Sequence, residues 1–194
     1  MSNIRLYTRE GAVVSQVDKG IRHLIESIDI KTGQAIVDYG CSNDGHIGII
    51  LASDFPSITV HLVADNLKDA KTTRRNLKEN NLRNASIHID DSLSFLEENK
   101  VNLIIINSSG YEGKEILRAR IADSWHHLAP GGQLYLVAHM RHGAPSLMKM
   151  ADEIFGNHEI LKKGGGVRII RATRTTFQAR EDQNDRTANL IEAE

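Results

Sequence analysis

Ala35-Ile36-Val37-Asp38-Tyr39-Gly40-Cys41-Ser42-Asn43-Asp44-Gly45-His46-Ile47-Gly48 is the stretch on which the fold turns. Residues 35–40 form a short apolar run closed by glycine, the pattern of a buried strand ending in a tight turn. Ile47 to Ser53 then reads as a helix. A strand running through a glycine turn into a helix is the opening unit of a βαβ architecture. Gly40 and Gly45 leave the backbone without a Cβ, so a ligand can approach it closely. The amides at the start of the following helix offer donors to an anionic group. The same residues also suit a tight strand-to-helix connection that binds nothing, and the segment alone leaves both readings open.

Downstream, the alternation continues. Thr59 to Ala64, Ala85 to Ile89, Val101 to Ile106 and Gln133 to Ala138 read as strands. Leu67 to Asn80, Asp91 to Glu98, Gly113 to Leu128 and Ala144 to Phe155 read as helices, the third closed by Pro130-Gly131-Gly132. Strands alternating with helices predict a mostly parallel sheet with helices on both faces. Glu159 to Leu161 and Val167 to Ala172 make a last strand pair. Its link, Lys162 to Gly166, is too short for a parallel crossover, so the pair is expected to be an antiparallel hairpin. The residues up to Val17 are expected to form a lid or strand leading into a helix over Asp18 to Ser27. Trp125 and Phe155 are expected in the core, and His126 and His127 on a helix surface.

The totals narrow the function classes. The 194 residues suit one large domain. We place that domain over 1–174 and a polar tail over 175–194. Lys and Arg number 24 against 25 Asp and Glu, a balance that does not advertise a nucleic-acid binder but allows a local basic patch. The single cysteine, Cys41, excludes an intrachain disulfide and makes a reducing cytoplasm the expected compartment. No metal-type Cys/His cluster is present, and no apolar run reaches the ~18–20 residues needed to cross a bilayer.

Read together, four segments resemble the methyltransferase small domain family, which includes archaeal RNA-methyltransferase-like domains and the catalytic half of ribosomal RNA guanine-N2 methyltransferases. Thr8 to Gly20 is similar to the family's entry motif, one residue shorter. Asp38-Tyr39-Gly40-Cys41 resembles the start of its first motif, Asp-x-Gly-Cys-Gly-x-Gly. Asn107 follows the fourth strand where the family has Asn-Pro-Pro-aromatic, and Gly113-Lys114 continues the match. His127 to Leu134, with its Pro-Gly-Gly, resembles the approach to the fifth strand. The likeness also takes in Gly143 to Leu147, Phe155-Gly156-Asn157 and Gly164-Gly165-Gly166, and so runs from about Leu6 to Arg174.

The resemblance implies a Rossmann-like sheet and S-adenosyl-L-methionine (SAM) as cofactor. It implies that Asp38, Gly40, Ser42, Gly45, Asp65 and Asp91 surround that cofactor, the loop amides facing its carboxylate, Asp65 its ribose and Asp91 its adenine. It further implies Asn107 and Tyr111 at the reacting amine of an RNA base. Three departures touch this chemistry. Ser42 replaces a motif glycine, and an inserted residue brings Asp44 beside the carboxylate pocket. Ala64 occupies the ribose-acid position with Asp65 one residue later, where a helix N-terminal acid is an equal alternative. Asn-Pro-Pro-aromatic becomes Asn107-Ser108-Ser109-Gly110, with Tyr111 one place beyond the aromatic position or packed on its own loop. A weakened domain that keeps the fold and binds RNA or a protein partner is therefore the alternative to an active enzyme, and methylation of a protein or small molecule is a third reading. Lys68, Lys71, Arg74, Arg75, Arg141, His142, Lys162 and Lys163 are candidate nucleic-acid contacts, the helix group reading more simply as solvated charge.

Overall fold

A computed structural model describes residues 4–14, 16–40, 44–108 and 113–175. Ser42 and Tyr111, both expected at the site, and the tail beyond 175 lie outside them. In chain order the elements are α1 (Lys19–Ile25), β1 (Ala35–Tyr39), α2 (His46–Asp54), β2 (Thr59–Ala64), α3 (Leu67–Glu79), β3 (Ala85–Ile89), β4 (Val101–Ser108), α4 (Lys114–His127), β5 (Leu128–His139), α5 (Ala144–Phe155), β6 (Glu159–Gly164) and β7 (Val167–Thr173). The seven strands form one sheet in the order β3-β2-β1-β4-β5-β7-β6. β1 to β5 pair in parallel, and β7 is antiparallel to both β5 and β6. The expected parallel sheet with a terminal hairpin is the fold observed.

The alternation of side chains along each strand divides the core in two. Ile36, Leu62, Ile105, Val137 and Ile169 pack beneath α1, α2 and α3. Val37, Ile104, Ile106, Leu136 and Ile170 pack beneath α4 and α5. α2 is buried from His46 to Ala52, which explains its nearly uniform apolar sequence, since it has no solvent face to make polar. The chain ahead of α1 folds as a strap rather than a strand: Tyr7 and Val13 form an isolated bridge, and Asn76 of α3 holds Tyr7 by both backbone groups at 2.8 and 3.1 Å.

Several expectations are corrected. No helix forms over 91–98. Asp90 Oδ1 accepts from Ser92 N and Oγ, both at 2.9 Å, and such side-chain bonds compete with helical ones. Leu93 N donates to Asp123 Oδ2 at 2.8 Å rather than to a helical carbonyl. Pro130-Gly131-Gly132 does not close α4. The helix ends at His127, and the motif lies inside β5 where the register with β4 shifts between Val101 and Leu103, a bulge that tolerates proline. The last hairpin is longer than expected. β6 and β7 consume most of the glycine link and leave only Gly165 and Gly166, at φ 58° and 78°, to turn the chain. His127 is buried rather than on the surface, its Nδ1 facing Asp123 Oδ1 at 3.1 Å. Phe155 is in the core, but Trp125 lies at the core's margin, only half-buried, with the Arg174 guanidinium 4.3 Å over its ring. Among the described residues no helix is long and apolar enough to cross a membrane.

Candidate active site

The carboxyl ends of the parallel strands meet at one edge of the sheet, where an open α/β fold receives ligands. β1 ends at Tyr39 and delivers Gly40. β2 ends at Ala64 and delivers Asp65. β3 delivers Asp90 and Asp91, and β4 ends with Asn107 and Ser108. The shared edge follows from the register, in which Tyr39 lies beside Val63 and Ile106. The expected residues on β1 to β4 therefore converge.

Asp38 is fully buried beneath the turn and accepts from Gly48 N at 2.9 Å, tying β1 to α2. Burial pushes its carboxyl up to about 7. Asp38 thus braces the loop from below. Gly45 caps α2 in the left-handed region at φ 73°, and a Cβ there would lie 2.6 Å from Thr73 Cγ2. Glycine is required at that position by both backbone and space.

Asp44, the acid that the insertion brings beside the pocket, is not left facing the loop as bare charge. Its carboxylate receives Arg9 N at 3.1 Å and faces Arg9 Nε at 3.4 Å, while Arg9 Nη2 reaches Asp69 at 2.7 Å. Burial still raises the Asp44 carboxyl, against the lowering by His46 and Arg9.

Asp65 stands between β2 and α3, in neither the strand nor the helix. The strand stops at Ala64, and the cap of α3 is Asn66, whose Oδ1 accepts from Lys68 N and Asp69 N at 3.0 Å each. Asp65 is therefore not the helix cap. It turns into the cleft and pairs with Arg120 Nη2 of α4. Tyr39 donates from its hydroxyl to Asp91 O at 2.8 Å and to Asp123 Oδ2 at 2.9 Å, fixing the chain at Asp91. Burial, and then Asp123, raise the Tyr39 hydroxyl far above its ordinary range, so it acts only as a donor. Asp65, Asp91, Ile116, Ala119 and Arg120 line a cleft of about 340 Å³.

Arg120 is the residue that the sequence reading missed. It is 4% exposed and sits in the buried stripe of α4 between Leu117, Ile121 and Ser124. Its guanidinium lies directly on Gly40, where a Cβ would overlap it, and 5.3 Å from the centre of the Tyr39 ring. A cation at a core-facing helical position was the available signal. Asn107 is buried at the end of β4, with Val137 beside it. Lys68, Lys71, Arg74 and Arg75 are exposed along α3, and Arg75 stacks on Tyr7 at 3.7 Å. Among the described residues no cluster of His, Cys, Asp or Glu is placed to hold a metal.

Comparison with known proteins gives a consistent picture. A family model described as methyltransferase small domain matches residues 3–171. The protein YbxB of Bacillus subtilis is 31% identical over 170 residues, covering 86% of this chain and 84% of that protein. Ribosomal RNA large subunit methyltransferase G of Shewanella loihica is 30% identical, over 83% of this chain and 42% of its own length. Ribosomal RNA small subunit methyltransferase C of Hamiltonella defensa is 28% identical, over 89% and 51%. The chain thus spans about half the length of these two ribosomal RNA methyltransferases. Among solved structures, the Geobacter metallireducens precorrin-6y C5,15-methyltransferase superposes with TM-score 0.66 at 14% identity, over 80% of this chain and 87% of that one. A T. thermophilus 16S rRNA N2 methyltransferase in complex with AdoMet and guanosine superposes with TM-score 0.60 at 15% identity, over 80% and 39%. At these identities the superpositions speak to the fold.

Proposed function

The chain belongs to the methyltransferase small domain family, and from that premise we propose that it is a SAM-dependent methyltransferase acting on a base amine in RNA. The observation that carries the reading is the convergence of Asp65 and Asp91 on one cleft, with Gly40 directly beneath the Arg120 guanidinium that lines it. The cleft wall has the chemistry an adenosyl group requires. Gly40 offers a backbone without a side chain. The Asp65 carboxylate accepts from ribose hydroxyls, and the Asp91 segment, anchored by Tyr39, borders the adenine end. Ser42 and Gly45 belong to the turn that faces the carboxylate. The donor set fits, provided that the Arg120 side chain leaves the space above Gly40.

When bound, SAM supplies an electrophilic methyl group on a sulfonium. The protein's part is to orient the acceptor and exclude water, and alignment of this kind is worth about 7–11 kcal/mol. A base amine is nearly neutral, so no strong base is needed. Asn107 Oδ1 accepts a hydrogen bond from the amine and takes up part of the charge that develops there. Tyr111 supplies the stacking surface for the base, a contact worth about 1–3 kcal/mol. Relatives named as ribosomal RNA methyltransferases support RNA as the substrate.

One observation favours a second reading. The guanidinium seated on Gly40 lies where the first reading puts the cofactor, as expected of a domain that keeps the fold and binds RNA or a protein partner without catalysis. Incubation with tritiated SAM and either total cellular RNA or total protein separates the readings. Label in RNA nucleosides, identified as N-methylated bases after digestion, supports the proposal. Label in protein alone, or no label with SAM bound, overturns it.

A further inference from the structure

Beyond the end of β5 the same sheet edge carries a second cavity, of about 350 Å³, lined by His139, Arg141, Gly165 and Gly166. It shares no lining residue with the Asp65 and Asp91 cleft, and the two lie on either side of Asn107. The register fixes its position. Asn107 pairs with Val137 on β5, and His139 pairs with Val167 on β7. His139 therefore stands one strand spacing across from Asn107 and two residues further along β5, about 8 Å away, with the Gly165 and Gly166 turn beyond it. Alternation places Asn107, Val137 and His139 on one face of the sheet, and Val167 across from His139 shares it. That face is the one under α1, where a Cβ on Gly20 would touch Val137 and Val167 at 3.0 and 3.4 Å.

The surroundings are cationic. Arg141 is exposed on the turn that follows β5, and Lys163 is exposed on β6. Lys19 lays its ammonium against the turn, so that a Cβ on Gly165 would meet Nζ at 2.8 Å. The His23 ring packs against Gly164, 3.1 Å from where its Cβ would stand. The nearby carboxylates are engaged elsewhere. Asp18 caps α1 by accepting from Gly20 N at 2.7 Å, and Glu26 pairs with Lys162. Among the described residues Lys19, Arg141 and Lys163 form no ion pair with a carboxylate. Gly166 has open space where a Cβ would be, so a ligand can reach the backbone of the turn.

We infer that this cavity is a phosphodiester-binding subsite that seats the RNA backbone beside the target nucleotide. The inference rests on the RNA reading given above. A guanidinium matches the two free oxygens of a phosphodiester in a bidentate pair. Lys19 adds a point charge from the α1 face, Lys163, which pairs in register with Arg168, adds one from the opposite face of the hairpin, and Gly166 leaves the backbone open to the phosphate. The nearly neutral net charge of the whole chain, -1, makes a local cluster of this kind the means by which such a protein holds RNA.

The test is fluorescence anisotropy of a labelled 20-nucleotide single-stranded RNA of mixed sequence, titrated between 50 and 300 mM KCl. The proteins compared are the full chain, Arg141→Ala, the double variant Arg141→Ala with Lys163→Ala, and Lys31→Ala at the opposite edge of the sheet. Each lost phosphate contact reduces the slope of log K against log salt by about 0.7 for a single strand, which is about fivefold in affinity at 0.1 M. The double variant is expected to bind about 25-fold more weakly, with its slope shallower by about 1.4, while Lys31→Ala behaves as the unaltered protein. Affinity for S-adenosylhomocysteine, measured by calorimetry, is expected to be unchanged. If the unaltered protein binds RNA and the double variant matches it in affinity and slope, the subsite is refuted and the RNA reading stands. If the unaltered protein binds no RNA at 50 mM KCl, both fall together.

Discussion

Replacing Arg120 with Met is expected to tighten SAM binding by about 5- to 30-fold. The magnitude follows from the Arg120–Asp65 ion pair, which acts as a latch over Gly40. The Arg120 side chain is 5% exposed and its partner Asp65 37%, so the pair lies between a screened surface bridge, worth at most about 1 kcal/mol, and a charge-assisted bond in the interior, worth about 1.5–3 kcal/mol. We take about 1–2 kcal/mol for opening it. A ligand that binds only the open form loses affinity in proportion to the closed fraction, and 1–2 kcal/mol corresponds to a factor of about 5–30. Met keeps the packing of the aliphatic stem between Leu117 and Ile121 but cannot reach over Gly40 as a cation. Asp65, left alone, is exposed enough to be solvated, so stability is expected to change by no more than about 1 kcal/mol. Calorimetry with SAM and S-adenosylhomocysteine reads the affinity, and repetition at higher salt provides an internal check. Salt weakens the ion pair, so affinity is expected to improve in the unaltered protein and to stay level in the variant. Asp65→Asn also removes this ion pair but weakens the ribose acceptor, and is expected to give no gain. Equal or weaker SAM binding by Arg120→Met would refute the latch. A gain in Asp65→Asn as large as in Arg120→Met would remove Asp65 from the cofactor site.

Three further outcomes follow from the same geometry. Asn107→Ala is expected to abolish methyl transfer to RNA while leaving SAM affinity within about twofold, as for a residue that acts on the acceptor; unchanged turnover would take Asn107 out of the mechanism. The Asp38 carboxyl holds its proton up to about pH 7 in the folded chain against a reference value of 3.8, so stability is full below about pH 4 and is lost as pH rises through about 7. Asp38→Asn keeps an acceptor for Gly48 N and is expected to lack that decline. Urea midpoints from pH 5 to 8 that run parallel for the two proteins would contradict this. Asn76→Ala strips partners from Tyr7 N, Tyr7 O and Asp44 O in a buried position, and is expected to cost about 3 kcal/mol and to open the strap to proteolysis around residues 8–12. A loss below about 1 kcal/mol would show that the strap is held by other contacts.

The scaffold was legible because its signals are local. The run Ala35 to Tyr39 followed by Gly40 and Gly45, the apolar β4 and the glycine link before β7 each carry a period or a turn that a short window reveals. The segment 91–98 misled for the same reason. Leu93 and Leu96 have helical spacing, but Asp90 captures Ser92 and Asp123 captures Leu93 N, and the second of these partners is 30 residues away. The site was legible as a set of positions and not as a set of contacts. Asp65 and Arg120 are 55 residues apart, and Asp44 and Arg9 are 35 apart. No window holds either pair.

Those two pairs follow one physical rule with opposite consequences for function. Each contains an acid at a departure from the family's motif, Asp44 in the lengthened first turn and Asp65 displaced at the second strand tip. Each is answered by an arginine from a distant element, since an acid near the interior is costly until it is paired. Arg9 approaches from the strap with 40% of its side chain exposed, so it neutralises Asp44 from outside and leaves the cleft open. Arg120 approaches from α4, whose buried stripe faces the cleft, and it meets Asp65 with its guanidinium lying over Gly40. Compensation of charge is therefore free of consequence at the first departure and coupled to ligand entry at the second. On the proposed reading, entry of SAM depends on how readily that one guanidinium gives way.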